Sequence, residues 1–131
     1  MNAPSVDIKD ILESDSTLGL EFTQNLFIGK EPAKPDQCVT IYDNMGMAPY
    51  LGMAGETGYE YPSIQIRVRT NIYLQGWTLI EKIKELLHGQ AQQTWNGTLY
   101  SIIYCSSGPA LLDYDDNGNC RFIINFNLQR R

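Results

Sequence analysis

The sequence is poor in cysteine and histidine and has no long apolar run. Its three cysteines, Cys38, Cys105 and Cys120, are odd in number and far apart. That excludes a disulfide framework and leaves no paired ligands at zinc spacing. Each lies in an apolar, strand-like stretch and is expected as a buried, reduced thiol. The single histidine, His88, falls at a predicted helix end and reads as a capping or surface residue. A general base needs a positioned partner, and none lies nearby in sequence. No apolar run approaches the ~20 residues that cross a bilayer, and the first residues carry no basic stretch followed by an apolar one. Neither a secretory signal nor membrane contact is expected, and synthesis is expected in the cytoplasm. Gly-x-Ser-x-Gly and phosphate-cradling glycine motifs are missing. Asp113, Asp115 and Asp116 lack the spacing of a calcium loop and read as turn residues. No catalytic residue, cofactor or metal ligand is predicted, and the chain reads as a non-enzyme.

Positive charge is also scarce. The chain carries 10 basic and 15 acidic residues, a net charge of −5. Affinity for nucleic acid rests largely on neutralising phosphates, so direct nucleic-acid binding is disfavoured. Between Pro35 and Ile66 there is no cation, while Asp36, Asp43, Glu56 and Glu60 lie there; the chain then ends on Arg130 and Arg131.

What is present suits one domain. With 131 residues, a fold would bury about two-thirds of the extended chain's surface, enough for one real core. Ser5 is placed to cap a first helix running to about Ser14, with Asp7 in its first turn and Ile8, Ile11 and Leu12 on its buried face. Leu20–Ile28 and Cys38–Tyr42 read as strands. Tyr61–Arg69 alternates Ile64, Ile66 and Val68 with Ser63, Gln65, Arg67 and Arg69, the pattern of a sheet with one wet face. Asn71 is placed to cap a second helix running to His88, with Tyr73, Trp77, Ile80, Ile83 and Leu87 as its buried stripe. Gly76 inside it costs about 1 kcal/mol against alanine and so marks close packing on the sheet. Asn96-Gly97 is a hairpin turn pair. Strands follow at Leu99–Cys105, Ala110–Tyr114 and Cys120–Leu128, with a break at Ser106–Pro109. The predicted fold class is α+β: a single domain over residues 1–131, a mainly antiparallel sheet with two helices on one face, in the order α-β-β-β-α-β-β-β.

Residues 43–60 stand apart as a long loop rich in glycine and methionine, without helix or strand period. A linker would be polar, whereas Met45, Met47, Tyr50, Leu51 and Met53 avoid water. Such a segment either contacts a partner or folds back over the chain's own core. Arg67 and Arg69 share one strand face, but Ser63 and Gln65 stand where an RNA-binding sheet would place stacking aromatics.

A series of segments carries a family resemblance over about Asp7 to Arg130. It begins with Asn25–Pro32, Pro35–Cys38 and Val39–Asp43. Tyr59–Arg69 and Leu87-His88-Gly89 follow. Asn96-Gly97-Thr98, Ser107-Gly108-Pro109, Asp116-Asn117-Gly118 and Phe122–Phe126 complete it. In order and spacing these resemble the minor capsid or tail terminator proteins of long-tailed bacteriophages; the 43–58 loop is longer than that family leads one to expect. The resemblance implies a virion structural protein. It implies a homo-oligomer, a six-fold ring on the head-proximal end of the tail tube, that ends tube polymerisation and joins tail to head. The implied partners are further copies of the chain, the major tail tube protein and head-side connector or neck proteins. The alternatives are a head-completion or head–tail joining protein, or, from another class, a small nucleic-acid- or ligand-binding α+β domain. From local composition, Met47, Tyr50, Leu51 and Met53 are candidate protein–protein contacts, and Arg67, Arg69, Arg130 and Arg131 are candidates to face acidic neighbours.

Overall fold

A computed structural model describes residues 1–50 and 58–131. Helix α1 (Pro4–Ser14) leads into strands β1 (Leu26–Ile28), β2 (Cys38–Met47) and β3 (Tyr61–Thr70). Helix α2 (Tyr73–Leu87) follows, then β4 (Gln90–Trp95), β5 (Thr98–Tyr114) and β6 (Cys120–Arg130). The six strands form one sheet in the order β1-β2-β3-β6-β5-β4, antiparallel except for β1 against β2. The class and element order are those read from sequence, although the members differ.

Alternation on the central strands builds the core. Ile64, Ile66 and Val68 of β3 stand opposite Phe126, Ile124 and Phe122 of β6. With Val39 and Ile41 of β2 they are buried against Ile8, Ile11 and Leu12 of α1 and Ile80, Ile83 and Leu87 of α2. Gly76 lets α2 sit down on this layer: a Cβ there would lie 2.6 Å from the Phe122 ring and would also strike the Thr70 methyl. The close packing expected at Gly76 is present.

Local chemistry accounts for the departures from the sequence reading. The Leu20–Ile28 strand shrinks to three residues because the Asn25 amide accepts the Glu21 N–H (2.7 Å) and donates to the Gly19 carbonyl (3.0 Å), so a turn competes with the ladder. Strand β2 runs on to Met47, five residues into the segment expected to be irregular, because Tyr61–Ser63 supply a partner. Gly46 permits the approach, since a Cβ there would lie 2.8 Å from Pro62 Cα. No break occurs at Ser106–Pro109: β5 continues through it, with register shifts on both sides of Ser107 absorbing the extra residues. Proline is tolerated at such bulges. The count of three strands after α2 is instead made up by β4, the first of them, which closes on β5 through Asn96-Gly97, both at positive φ as a two-residue hairpin turn requires.

Neither helix uses the cap expected of it. Residue Ala3 stands at the α1 N-cap, and the carboxylate of Asp43, from β2, accepts the Ser5 N–H (2.9 Å) and hydroxyl (2.6 Å). A carboxylate is favourable at that end of the helix dipole. Helix α2 starts behind Ile72, and the Asn71 side chain instead accepts a hydrogen bond from Gln37 (3.1 Å). Asp7 stands in the first turn of α1, as expected. It is fully buried and accepts hydrogen bonds from the Tyr100 hydroxyl and from Asn96 (2.7 Å), with Arg130 at 4.0 Å. Burial, and the donation of its proton to Asp7, push the Tyr100 phenol up from its ordinary value.

Three stability outcomes follow, all read by urea unfolding. Gly76→Ala lowers stability by ~1–3 kcal/mol, because the overpacking outweighs the gain in helix propensity; an unchanged or raised midpoint refutes the close-packing account. Asp7→Ala costs ~2–4 kcal/mol by leaving the Tyr100 hydroxyl and the Asn96 amide without this acceptor and Arg130 with Glu60 as its remaining carboxylate. Tyr100→Phe costs less, about 1–3 kcal/mol, by removing one donor.

Candidate assembly surfaces

Two helices do not cover this sheet, and its uncovered parts are the candidate surfaces. The first is an arm at the free end of β2. β1 pairs only with Val39–Ile41, so among the described residues the stretch beyond flanks no strand but β3. On it Met45 is 97% exposed, Met47 75% and Tyr50 61%. The base of the arm is fixed: the Tyr50 N–H donates to the Tyr59 carbonyl (2.9 Å), and Glu60 and Arg130 exchange both backbone hydrogen bonds (2.8 and 3.0 Å). The candidates Met47 and Tyr50 are thus brought together in the open. Leu51 and Met53 lie outside the described residues.

The second surface lies at the diagonally opposite corner. β4 pairs only with Thr98–Ile103, so among the described residues no strand flanks the outer side of β5 beyond that point. Leu111 and Tyr114 stand opposite Phe122 and Cys120, on the helix face of the sheet. Tyr73 and Trp77 of α2 meet the Phe122 ring edge-on, with centroids 4.9 and 5.9 Å away. Their outer sides, with Ile72, Leu74, Leu111 and Tyr114, remain exposed. The sequence reading put Tyr73 and Trp77 in the buried stripe; only Gly76, Ile80, Ile83 and Leu87 are buried there. It missed this patch because apolar residues at helical spacing read as core. The available signal was the hairpin strand carrying Leu111, Leu112 and Tyr114, more apolar surface than one helix end can cover.

The third surface is the sheet face away from the helices, a half-buried polar ladder. Gln65 donates to Asn125 (3.2 Å), Asn125 to Ser107 (2.8 Å), and Asn127 to Tyr104 (3.3 Å). The candidate Arg67 lies here. Its Nε donates to Gln65 (2.8 Å), and its guanidinium centre sits 4.9 Å from the Tyr42 ring centroid.

The remaining arginines divide. Arg69 is buried and clamps residues 29–37 onto the polar face by donating to the carbonyls of Pro35 (2.6 Å), Asp36 (3.2 Å) and Ala33 (3.4 Å). Glu31 and Asp115 lie 3.6 and 3.9 Å from it. Nearby, a hydrogen bond from Lys34 leads in holding the Asp36 carboxyl below its ordinary range. Burial would raise the Asp115 carboxyl, but hydrogen bonds from Asn119 and Asn117 outweigh it and hold that group low as well. Arg130 is buried too. It donates to the Asn2 carbonyl (2.8 Å), Tyr100 (3.3 Å) and Glu60 (3.2 Å). In this chain Arg69 and Arg130 neutralise internal carboxylates rather than present exposed charge. Arg131 is exposed, its guanidinium centre 5.0 Å from the Tyr59 ring centroid.

Thiol and imidazole chemistry is tied into the fold. Cys38 and Cys120 are buried and Cys105 half-buried, all unpaired. Burial pushes the Cys38 thiol up, towards its protonated form. His88 stands at the α2 C-cap, where its Nδ1 accepts the Cys105 N–H (2.9 Å). Among the described residues no cluster of metal-ligating side chains forms, and no helix is long and apolar enough to cross a membrane.

No curated protein matches the chain in sequence. One solved structure similar to it is a chain of the virion of a native gene transfer agent particle. The TM-score is 0.70 at 11% identity, over 98% of this chain and 94% of that one, a likeness of fold. The family described as bacteriophage tail terminator protein matches residues 6–131. The chain belongs to that family of bacteriophage tail terminator proteins and is a structural protein of the phage virion.

Proposed function

We propose that the chain acts without catalysis, as a ring of identical copies on the head-proximal end of the tail tube. The ring ends tube polymerisation and offers the head side of the neck a docking face. Six copies are the number that the resemblance implies. The observation that carries this reading is the family match over residues 6–131. The uncovered surfaces support it: a ring subunit needs two unlike lateral contacts as well as a top and a bottom. The arm and the aromatic patch are unlike each other and lie at opposite edges of one sheet. Met47, Tyr50, Leu51 and Met53 are proposed as contacts of the arm, and Arg67 and Arg131 as the cations still available to neighbouring proteins. The tube protein and head-side neck proteins are the proposed partners.

Electron microscopy of lysates from a parent phage lacking this gene tests the reading. Filled heads beside loose tails of uncontrolled length are expected. Leaking heads beside tails of normal length would place the protein on the head side of the neck instead, and intact virions would overturn a role in assembly.

A further inference from the structure

The two apolar corners of the sheet are chemically matched, which bears on how copies of the chain meet. Resting on the ring reading above, we propose that the Met45–Tyr50 arm of one copy docks onto the aromatic patch of Tyr73, Leu74, Trp77, Leu111 and Tyr114 on the next copy. The contact is head-to-tail.

Placement is the first argument. The arm lies at the end of β2 that pairs with Tyr61, and the patch at the end of β5 that pairs with Cys120. These are diagonal corners on opposite edges of one sheet. Each copy therefore offers one of each, and a contact between unlike patches propagates and closes when its rotation divides a circle. Charge is the second argument. Neither Asn44–Tyr50 nor Ile72–Leu79 contains a charged residue, and Asp113, between Leu111 and Tyr114, is already paired with Arg121 (3.2 Å), so the contact strips no lone ion of water. Interface cores are depleted of charge and enriched in Tyr, Trp and Met in this way. Chemistry is the third. Unbranched thioethers adapt to irregular surfaces and pack favourably on aromatic rings, and here one corner exposes two methionines and the other a tryptophan and two tyrosines. Area is the fourth. With aromatic side chains at ~150–250 Å² each, the half-exposed patch offers on the order of 500 Å², a large part of the ~800 Å² per partner of a standard interface.

Strand addition at the same edge is a poorer contact. β5 shifts register at three places beyond Ile103 and carries Pro109, and its Cys105 N–H is already taken by His88. Bulges and proline are the devices that blunt an edge against pairing. Side chains, and not the backbone, are what this edge offers.

The test uses two surface variants, Leu74→Glu and Met45→Glu. Leu74 is 75% exposed and Met45 almost fully so, and circular dichroism confirms the fold of each. By light scattering the unsubstituted chain is expected to form a closed oligomer, and each variant a species of 14.8 kDa. The decisive sample is their equal mixture. Leu74→Glu keeps a working arm and Met45→Glu a working patch, so one junction forms and the mass doubles without growing further. Lysine at the same positions gives the same pattern if the contact is apolar. The contact is overturned if either variant still forms the full oligomer, if the mixture stays monomeric, or if Met45→Glu alone dimerises patch to patch. An unsubstituted chain that stays monomeric at its highest soluble concentration overturns the ring reading itself.

Discussion

Coverage is the constraint on which the rest of this structure depends. The two helices have 11 and 15 residues, about 16 and 22 Å of cylinder at 1.5 Å per residue. The strand beside them, β5, has 17 residues, about 56 Å if straight. Two short helices bury the middle of such a sheet and leave its corners bare. An isolated soluble protein would shorten its strands or fill those corners with charge. This chain fills one corner with methionine and the other with tryptophan, tyrosine and leucine. A contiguous exposed apolar surface of that kind marks a place where another protein belongs.

Where helices do not reach, buried charge holds the margins. Arg69 gathers residues 29–37 over the polar face at one end of the sheet, and at the other end, on the core face, Arg130 ties the N-terminal residues, Glu60 and Tyr100 together. Each guanidinium meets several acceptors, the condition under which a buried charge is tolerated. The planar fork suits arginine to this task and lysine poorly. Both sites join segments distant in sequence, so they fix the ends of the sheet that hydrophobic packing leaves loose.

The central fold was legible because its signals are periodic. Ile64, Ile66 and Val68, and Phe122 to Leu128, name their faces by alternation alone. Gly76 announced a close approach, and Asn96-Gly97 a turn. The same alternation, carried two residues past Leu128, puts Arg130 on the core face, yet its charge made it read as surface. Arg69 has the parity of the wet face and is buried because residues 29–37 cross over it, a long-range event with no local signature. Tyr73 and Trp77 failed in the opposite sense: their spacing is that of a core stripe, but the sheet beneath them extends past the helix. Asn25, Asp43 and Asn71 show a further limit. Short polar side chains choose among nearby backbone partners, and that choice is settled only when distant elements arrive. Of the candidate surfaces, the apolar arm was legible as a stretch that avoids water, and the aromatic corner was not.

The fixed base of the arm has a mechanical consequence. Glu60 and Arg130 exchange paired backbone bonds, and Arg131 and Leu99 do the same at 2.9 Å in both directions. The described arm, from Met45 to Tyr50, is therefore rooted across β2, β3, β6 and β5 together. A pull on the arm loads these ladders in shear, many hydrogen bonds sharing the force at once, and not by peeling one strand from an edge. In the proposed ring, a subunit built in this way would transmit tension between its neighbours through its sheet rather than through its helices.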